Sequence, residues 1–389
     1  MTSSLVVVVA FHISLFFAIQ RFQTRRPDFA YLYQAGRAID HQRFAGIVEL
    51  FPSLKSGEYS VETSAGELPA DTMHPPYEML IYAALALFKF RIAVPVWWAC
   101  NLLLLTLTAF RLWPHIPNLR DKYPYLLIVI ATFFPVLVAF VQGQNSILLL
   151  ALLALCYDSL ARRQDLRGGF VLALGMFKFV LVLPIALWLV LEKRWKSLAG
   201  FAAGCLALFI ESVWLVGIEG VEAYVHLIGG FGKAAPERAG SESLMPNLRG
   251  LVYTVGAGMT TQKFLTILTL VVSIALLIWV DSGLRRRADL TSRFSLQILL
   301  AAAISYHFFP HDAAILVLPL VLLANQSLNE ASGGKFRIAV LAGCACIYLI
   351  PFFVHLELGM QTIAIAYLAL LICERIQPPD ATMKAVALG

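Results

Sequence analysis

The sequence predicts an all-α polytopic membrane protein, with about twelve transmembrane helices joined by short re-entrant and interfacial helices. Three observations predict it. Hydrophobic residues make up 59% of the 389 residues and charged residues 14%, where soluble domains carry about 45–50% and about 25%. Mean hydropathy is +0.77, and so few charges cannot cover the apolar surface of a chain this long. A soluble enzyme, a disordered chain, a coiled coil and collagen are thereby excluded. The apolar runs, such as 147–156 and 264–280, are also nearly unbroken. Strands of a membrane barrel would alternate apolar and polar residues over about ten positions, whereas helices satisfy their own backbone in lipid. Finally, polar residues gather in a few stretches, of which 21–73 is the longest.

The elements follow in chain order. Residues 4–19 have no basic leading region and no small-residue cleavage site behind them, so they read as a first span rather than a signal peptide. The polar stretch 21–73 is too long for a simple connection, and such loops tend to be functional. Within it, Pro27-Asp28 opens a helical pattern over 29–39 that suits an interfacial helix. Further spans are expected at 75–90, 92–111, 123–141, 146–161, 168–191, 197–217, 263–282, 294–307, 311–325, 336–354 and 357–374. The pair covering 123–161 turns at Gln142-Gly143-Gln144-Asn145 and is short for a full hairpin. A second polar stretch occupies 218–245, and 246–257 is short and Gly-rich, which suits a re-entrant or broken segment. Residues 1–389 then form one membrane domain, with 21–74 and 218–245 as its two large outer loops.

Net charge is +6, with the 30 Lys and Arg scattered through loops, which suits lipid head groups rather than nucleic acid. A cytoplasmic N-terminus places Lys193-Arg194-Trp195-Lys196 and Arg285-Arg286-Arg287 inside. The same alternation leaves Arg111, Arg120, Lys122, Arg162, Arg163 and Arg167 outside, so the positive-inside bias nearly vanishes. The six cysteines sit in apolar segments and read as small hydrophobes, with no disulfide or metal centre expected.

Several residues could carry chemistry. Asp28, near Tyr31 and Tyr33, could take a proton from an alcohol, and an Asp before an apolar helical run equally makes an N-cap. His74 precedes Pro75-Pro76, which open a helix; it could bind an anion or shuttle a proton. Lys178 lies inside the apolar run 170–190, where a lysine is costly and marks a functional site or snorkels to an interface. The turn Ser305-Tyr306-His307-Phe308-Phe309-Pro310-His311-Asp312 gathers two histidines and an aspartate between apolar spans. Its spacing suits phosphate or hydroxyl contact better than metal binding, and a polar boundary turn would look the same. Arg249 opens the short broken segment, where a guanidinium suits a phosphate or a lipid head group. No P-loop motif and no D-x-D occur.

Taken in order, these motifs resemble glycosyltransferase family 87, the polyprenyl-phosphate-mannose-dependent mannosyltransferases of the GT-C membrane fold. The resemblance spans roughly 25–325. It rests on Asp28 with Tyr31 and Tyr33, Ala35-Gly36-Arg37-Ala38, His74-Pro75-Pro76, Gly143-Gln144-Asn145, Lys178 after a Gly-rich helix start, Asn247, and the turn from His307 to His311. His74 replaces the family's common aromatic before Pro-Pro, and Phe179 replaces the proline common after the lysine. The resemblance implies a GT-C architecture and a polyprenyl-phosphate-sugar donor, with mannose as the sugar and a glycolipid or glycan as acceptor. It implies Asp28 as general base for an inverting transfer. Lys178, Arg249, His307, His311, His74, Tyr33 and Asn145 become the substrate contacts, with no cofactor and no metal. The setting would be a bacterial-type cytoplasmic membrane with the site on its outer face. The competing reading is a transporter or flippase of a lipid-linked sugar, which has no need of Asp28.

Overall fold

The computed structural model describes residues 28–41, 74–230, 245–250, 264, 267, 271, 273–275, 289–329, 334–349 and 365. The span expected at 4–19, nearly all of those at 263–282 and 357–374, and most of the 21–74 loop lie outside the described residues. Every regular element among the described residues is helical. Three runs, Phe90–His115, Asp165–Leu191 and Trp195–His226, are long and apolar enough to cross a membrane. Their outward faces are apolar: Leu103 is 70% exposed, Phe110 64% and Trp214 69%. A surface of this kind needs lipid as its solvent.

The chain begins with α1 (Asp28–His41), α2 (Pro76–Ala86) and α3 (Phe90–Leu112). Pro76 stands in the first turn of α2, where its missing N–H costs nothing. The single span expected at 123–141 is two helices, α4 (Tyr123–Thr132) and α5 (Phe134–Gln142). Pro135 lacks the N–H that would continue α4, and Phe133 adopts an extended ψ of 121° between them. α6 (Ser146–Ala161) has the expected bounds and is almost wholly buried.

The span expected at 168–191 is not one straight helix. It is α7 (Asp165–Leu174), a 3₁₀ turn (Gly175–Lys178) and α8 (Phe179–Leu191), folded back on itself at Lys178. A straight run of that length would separate its ends by about 40 Å. Instead Asp165 pairs with Arg194 at 3.5 Å, just beyond the end of α8. Glycine contacts give the directions. Gly168 lies on Leu160 and Gly175 on Leu149, so α7 runs antiparallel to α6. Leu166 lies on Gly200 and Phe170 on Gly204, so α7 runs parallel to α9 (Trp195–Gly230). The intervening α8 must therefore run back. Apolar composition reports that the segment is buried in lipid or protein; it cannot report a reversal, and the apex residue at Lys178, with ψ 54°, makes one.

α9 bends at Gly217, whose φ of 71° is open to glycine, and remains helical to Gly230. The first half of the polar stretch at 218–245 is thus helix rather than loop. It stays because Ala223 and Tyr224 pack onto the cluster of Phe29, Tyr82 and Trp97. α10 (Leu290–Ile304), a 3₁₀ turn (Asp312–Leu316), α11 (Val317–Ser327) and α12 (Gly334–Leu349) complete the described helices. The sixteen residues of α6 and fifteen of α10 reach only about 22–24 Å, short of the roughly 30 Å hydrocarbon core.

The fold-back also resolves the charge distribution. Arg111, His115 and Arg162 all meet Asp158, at 3.5, 2.8 and 2.6 Å. Arg194 on Asp165 and Arg293 on Glu192, the latter at 2.6 Å, stand at the same end. The cations at 111, 162 and 163, expected opposite the 193–196 cluster, stand at the same end of the bundle as that cluster because the chain between them folds back. We expect cysteines placed at exposed Arg163 and Lys193 to react with a membrane-impermeant thiol reagent from the same face of sealed vesicles. Labelling from opposite faces would mean a straight crossing.

Candidate active site

The site is built around one turn. Gly143 ends α5 in the left-handed region, φ 71°, and a Cβ there would stand 2.4 Å from the Cβ of Phe29. The absent side chain lets α1 lie directly on the turn. Five successive residues then reach four different parts of the chain. Gln142 Oε1 meets His311 Nδ1 at 2.9 Å. The Gly143 carbonyl accepts from Trp97 Nε1 at 2.9 Å. Gln144 Nε2 donates to Asp28 Oδ2 at 2.9 Å. Asn145 Nδ2 donates to Glu78 Oε1. Ser146 Oγ donates to Asp312 Oδ1 at 3.1 Å.

One side of the turn carries Asp28, His74 and Glu78. α1 is pressed onto α2 at Gly36, where a Cβ would lie 2.3 Å from the Tyr82 backbone. Phe29 stacks with Trp97 and meets Tyr33, Tyr82 and Phe90, fixing the first turn of α1. Asp28 is thereby held at Gln144 and only partly buried. Tyr33 gives its hydroxyl proton to the Phe88 carbonyl at 2.7 Å and is buried. His74 Nδ1 lies 2.7 Å from Glu78 Oε2. Glu78 is 1% exposed. Glu78 was not singled out in the sequence. The reasoning applied to Lys178, a charge inside an apolar run, would have found it in the first turn of α2, just beyond His74.

The other side carries Lys178. Its Nζ lies 2.7 Å from Asp312 Oδ1, with both side chains buried. Asp312 also accepts from the Phe309 backbone N–H at 2.9 Å, so it locks the turn at 305–311. The lysine is therefore paired inside the protein rather than snorkelling. Asp312, visible in the sequence only as part of a polar turn, is its partner. Arg249 Nη1 donates to the Tyr306 carbonyl at 2.6 Å, and its guanidinium sits 3.7 Å above the Tyr306 ring. Asn247 donates to the Ser305 carbonyl and caps the turn at 248–250 by accepting from Gly250 N–H. The remainder of the broken segment at 246–257 lies outside the described residues.

The two histidines of the turn are neutral at physiological pH. Burial pushes His307 from 6.5 down to about 4, opposed by the Asp312 charge and reinforced by Lys178 and Arg249. Burial likewise pushes His311 down to about 3. They can donate or accept a hydrogen bond there but bring no charge. An unfolded chain takes up these protons near pH 6.5, before the folded one does, so stability is full above 6.5 and falls as pH drops towards 4. Thermal unfolding in detergent should show that decline, and His307→Asn should lessen it, leaving the part due to His311.

The fold and this cluster define a helical membrane protein with a carboxylate, a paired lysine and neutral imidazoles gathered at one end of a short-helix bundle. The model of glycosyltransferase family 87 matches residues 73–310, and the chain belongs to that family. The match takes in His74, Glu78, Asn145, Lys178, Arg249 and His307, while Asp28 and His311 lie beyond its limits. No curated protein and no solved structure matches the chain. The protein is a membrane glycosyltransferase.

Proposed function

We propose that the chain transfers a hexose, mannose in our reading, from a polyprenyl-phosphate donor to a hydroxyl of a glycolipid or glycan acceptor, with Asp28 as general base. Asp28 removes the acceptor proton. The acceptor oxygen bonds to the anomeric carbon as the bond from that carbon to the phosphate oxygen breaks, and configuration inverts. The leaving group is a polyprenyl phosphate monoester, whose growing charge needs fixed donors. Among the described residues Lys178 gives one ammonium N–H, to Asp312, and has two more to offer, and Arg249 supplies a second cation. His307, His311 and His74 contribute hydrogen bonds, and Asn145 binds at the turn.

The observation that carries this reading is the contrast between the two aspartates joined through the turn. Asp312 is buried and engaged by Lys178, Ser146 and the Phe309 N–H. Asp28 is partly exposed, and its side-chain partner among the described residues is the neutral Gln144. A carboxylate of the second kind can take a proton; the first is already committed as a counter-ion. The cationic end, opposite the site, fits the cytoplasmic face by the positive-inside tendency, which would put the site outside.

The test is transfer of label from polyprenyl-phosphate-mannose to a total lipid extract by the purified protein in lipid, comparing wild type with Asp28→Asn. Expected is loss of about 100-fold or more in the variant at unchanged thermal stability, the usual range for a general base. Full activity in the folded variant would return Asp28 to a structural role. A wild type that neither transfers nor hydrolyses the donor would remove this donor class.

A further inference from the structure

Gln144 and Asn145 are adjacent in the central turn, and each is held by a carboxylate through its amide nitrogen. Gln144 Nε2 is on Asp28 Oδ2 at 2.9 Å, and Asn145 Nδ2 is on Glu78 Oε1. A carboxylate only accepts, so each amide is fixed with its nitrogen towards the acid and its oxygen away from it. Both oxygens, Gln144 Oε1 and Asn145 Oδ1, are buried and have no hydrogen-bond partner among the described residues. Gln144 is 8% exposed and Asn145 is fully buried. A buried acceptor without a donor is costly, and such a pair is kept where something supplies the donors. Two carbonyl oxygens on successive residues suit a ligand with neighbouring O–H donors. Gln144 ties one of them to the carboxylate assigned above as base.

We propose that Gln144 and Asn145 form the subsite that reads hydroxyls of the transferred sugar, with Glu78 as a positioning residue that holds Asn145 and His74 in place. The inference rests on the donor reading above. Each amide oxygen accepts one sugar O–H, and the same Gln144 side chain keeps Asp28 beside the sugar it holds. Glu78 is suited to its part because its two oxygens serve both neighbours at once, Oε1 towards Asn145 and Oε2 towards His74. Glutamine in its place has one acceptor oxygen, so Asn145 and a donating His74 compete for it, and both are held only if His74 switches to the tautomer that accepts from the new amide.

The test compares consumption of polyprenyl-phosphate-mannose with its 2-, 3-, 4- and 6-deoxy analogues, as kcat/KM, for wild type, Gln144→Ala, Asn145→Ala and Glu78→Gln. Wild type should lose about tenfold or more on at least one analogue, because removing that hydroxyl leaves a buried acceptor unpaired. In Asn145→Ala or Gln144→Ala the penalty on that analogue should shrink to about threefold or less, since the acceptor has gone as well. Glu78→Gln should shrink it in the same direction. This ratio is internal to each protein, so a variant that merely loses stability or folded fraction leaves it unchanged. Among the described residues the Gln144 side chain is bonded to the helix-start Asp28, which gives a second variant should Asn145→Ala not fold. Consumption with equal penalties in wild type and variants overturns the subsite while leaving the donor reading intact. Failure of wild type to consume any donor overturns the donor reading and the subsite together.

Discussion

Replacing Lys178 by methionine is expected to cost roughly 3–5 kcal/mol of stability, because it leaves a buried carboxylate without its counter-charge. Lys178 is 9% exposed and Asp312 1%, and their 2.7 Å contact is the join between the α7–α8 apex and the 305–311 turn. Asp312→Asn should cost less than the lysine change. Its amide oxygen still accepts from the Phe309 N–H, and the lysine left behind can draw in water more readily than a carboxylate locked in a turn. The informative protein is the double variant, Lys178→Met with Asp312→Asn. Removing both charges should restore most of the lost stability, as replacement of a buried pair by neutral groups often does. If Lys178 also meets the leaving phosphate, transfer remains lost in this stable double variant. Thermal unfolding in detergent reads the first effect and label transfer the second. Recovery of both together would make the pair structural only.

This pair also marks how far the sequence could be read. The membrane class, the helical composition and the bounds of α6 follow from uninterrupted apolar runs, because lipid allows helices few alternatives. Lys178, His307 and His311 stand out because charge and imidazole are expensive where their neighbours are apolar. What could not be read is pairing over long separations. Nothing near Lys178 in the chain points to Asp312, 134 residues away, nor anything near Gln144 to Asp28, 116 residues away. Glu78 was hidden because Pro75-Pro76 accounted for the helix start so simply. The hairpin at 165–191 was hidden for another reason. Hydropathy integrates over a window and has no sense of direction, so a folded-back pair of half-helices and one full crossing have the same profile. Reading it as one straight run put the loops on its two sides at opposite ends, whereas the fold-back brings Arg162 and Arg194 to the same end.

The first arm of the hairpin is held against α9 by glycines, and alanine at Gly169 or Gly200 should be among the most damaging small changes in the protein. A Cβ at Gly169 would stand 1.7 Å from the Ser197 carbonyl oxygen, and one at Gly200 1.9 Å from that of Leu166. Both obstacles are backbone, so no rotamer change relieves them. The helices α7 and α9 must separate by more than an ångström along their whole contact, losing the close packing that drives helix association in lipid, where burial of apolar surface contributes little. We expect at least the 1–3 kcal/mol typical of overpacking for either substitution. Gly334→Ala, at a position with nothing within 4 Å, should be close to neutral and controls for the loss of glycine itself. The consequence reaches the site because α7 ends in the 3₁₀ turn that carries Lys178. Displacing α7 from α9 shifts the apex and lengthens the 2.7 Å contact with Asp312. Transfer should therefore fall in Gly169→Ala even at temperatures where the protein remains folded. A second-site change of Ser197 cannot restore it, since the clash is with the carbonyl and not with the side chain. If instead Gly169→Ala unfolds at the wild-type temperature and keeps its activity, the two helices have room to part and the geometry of the apex does not depend on their contact.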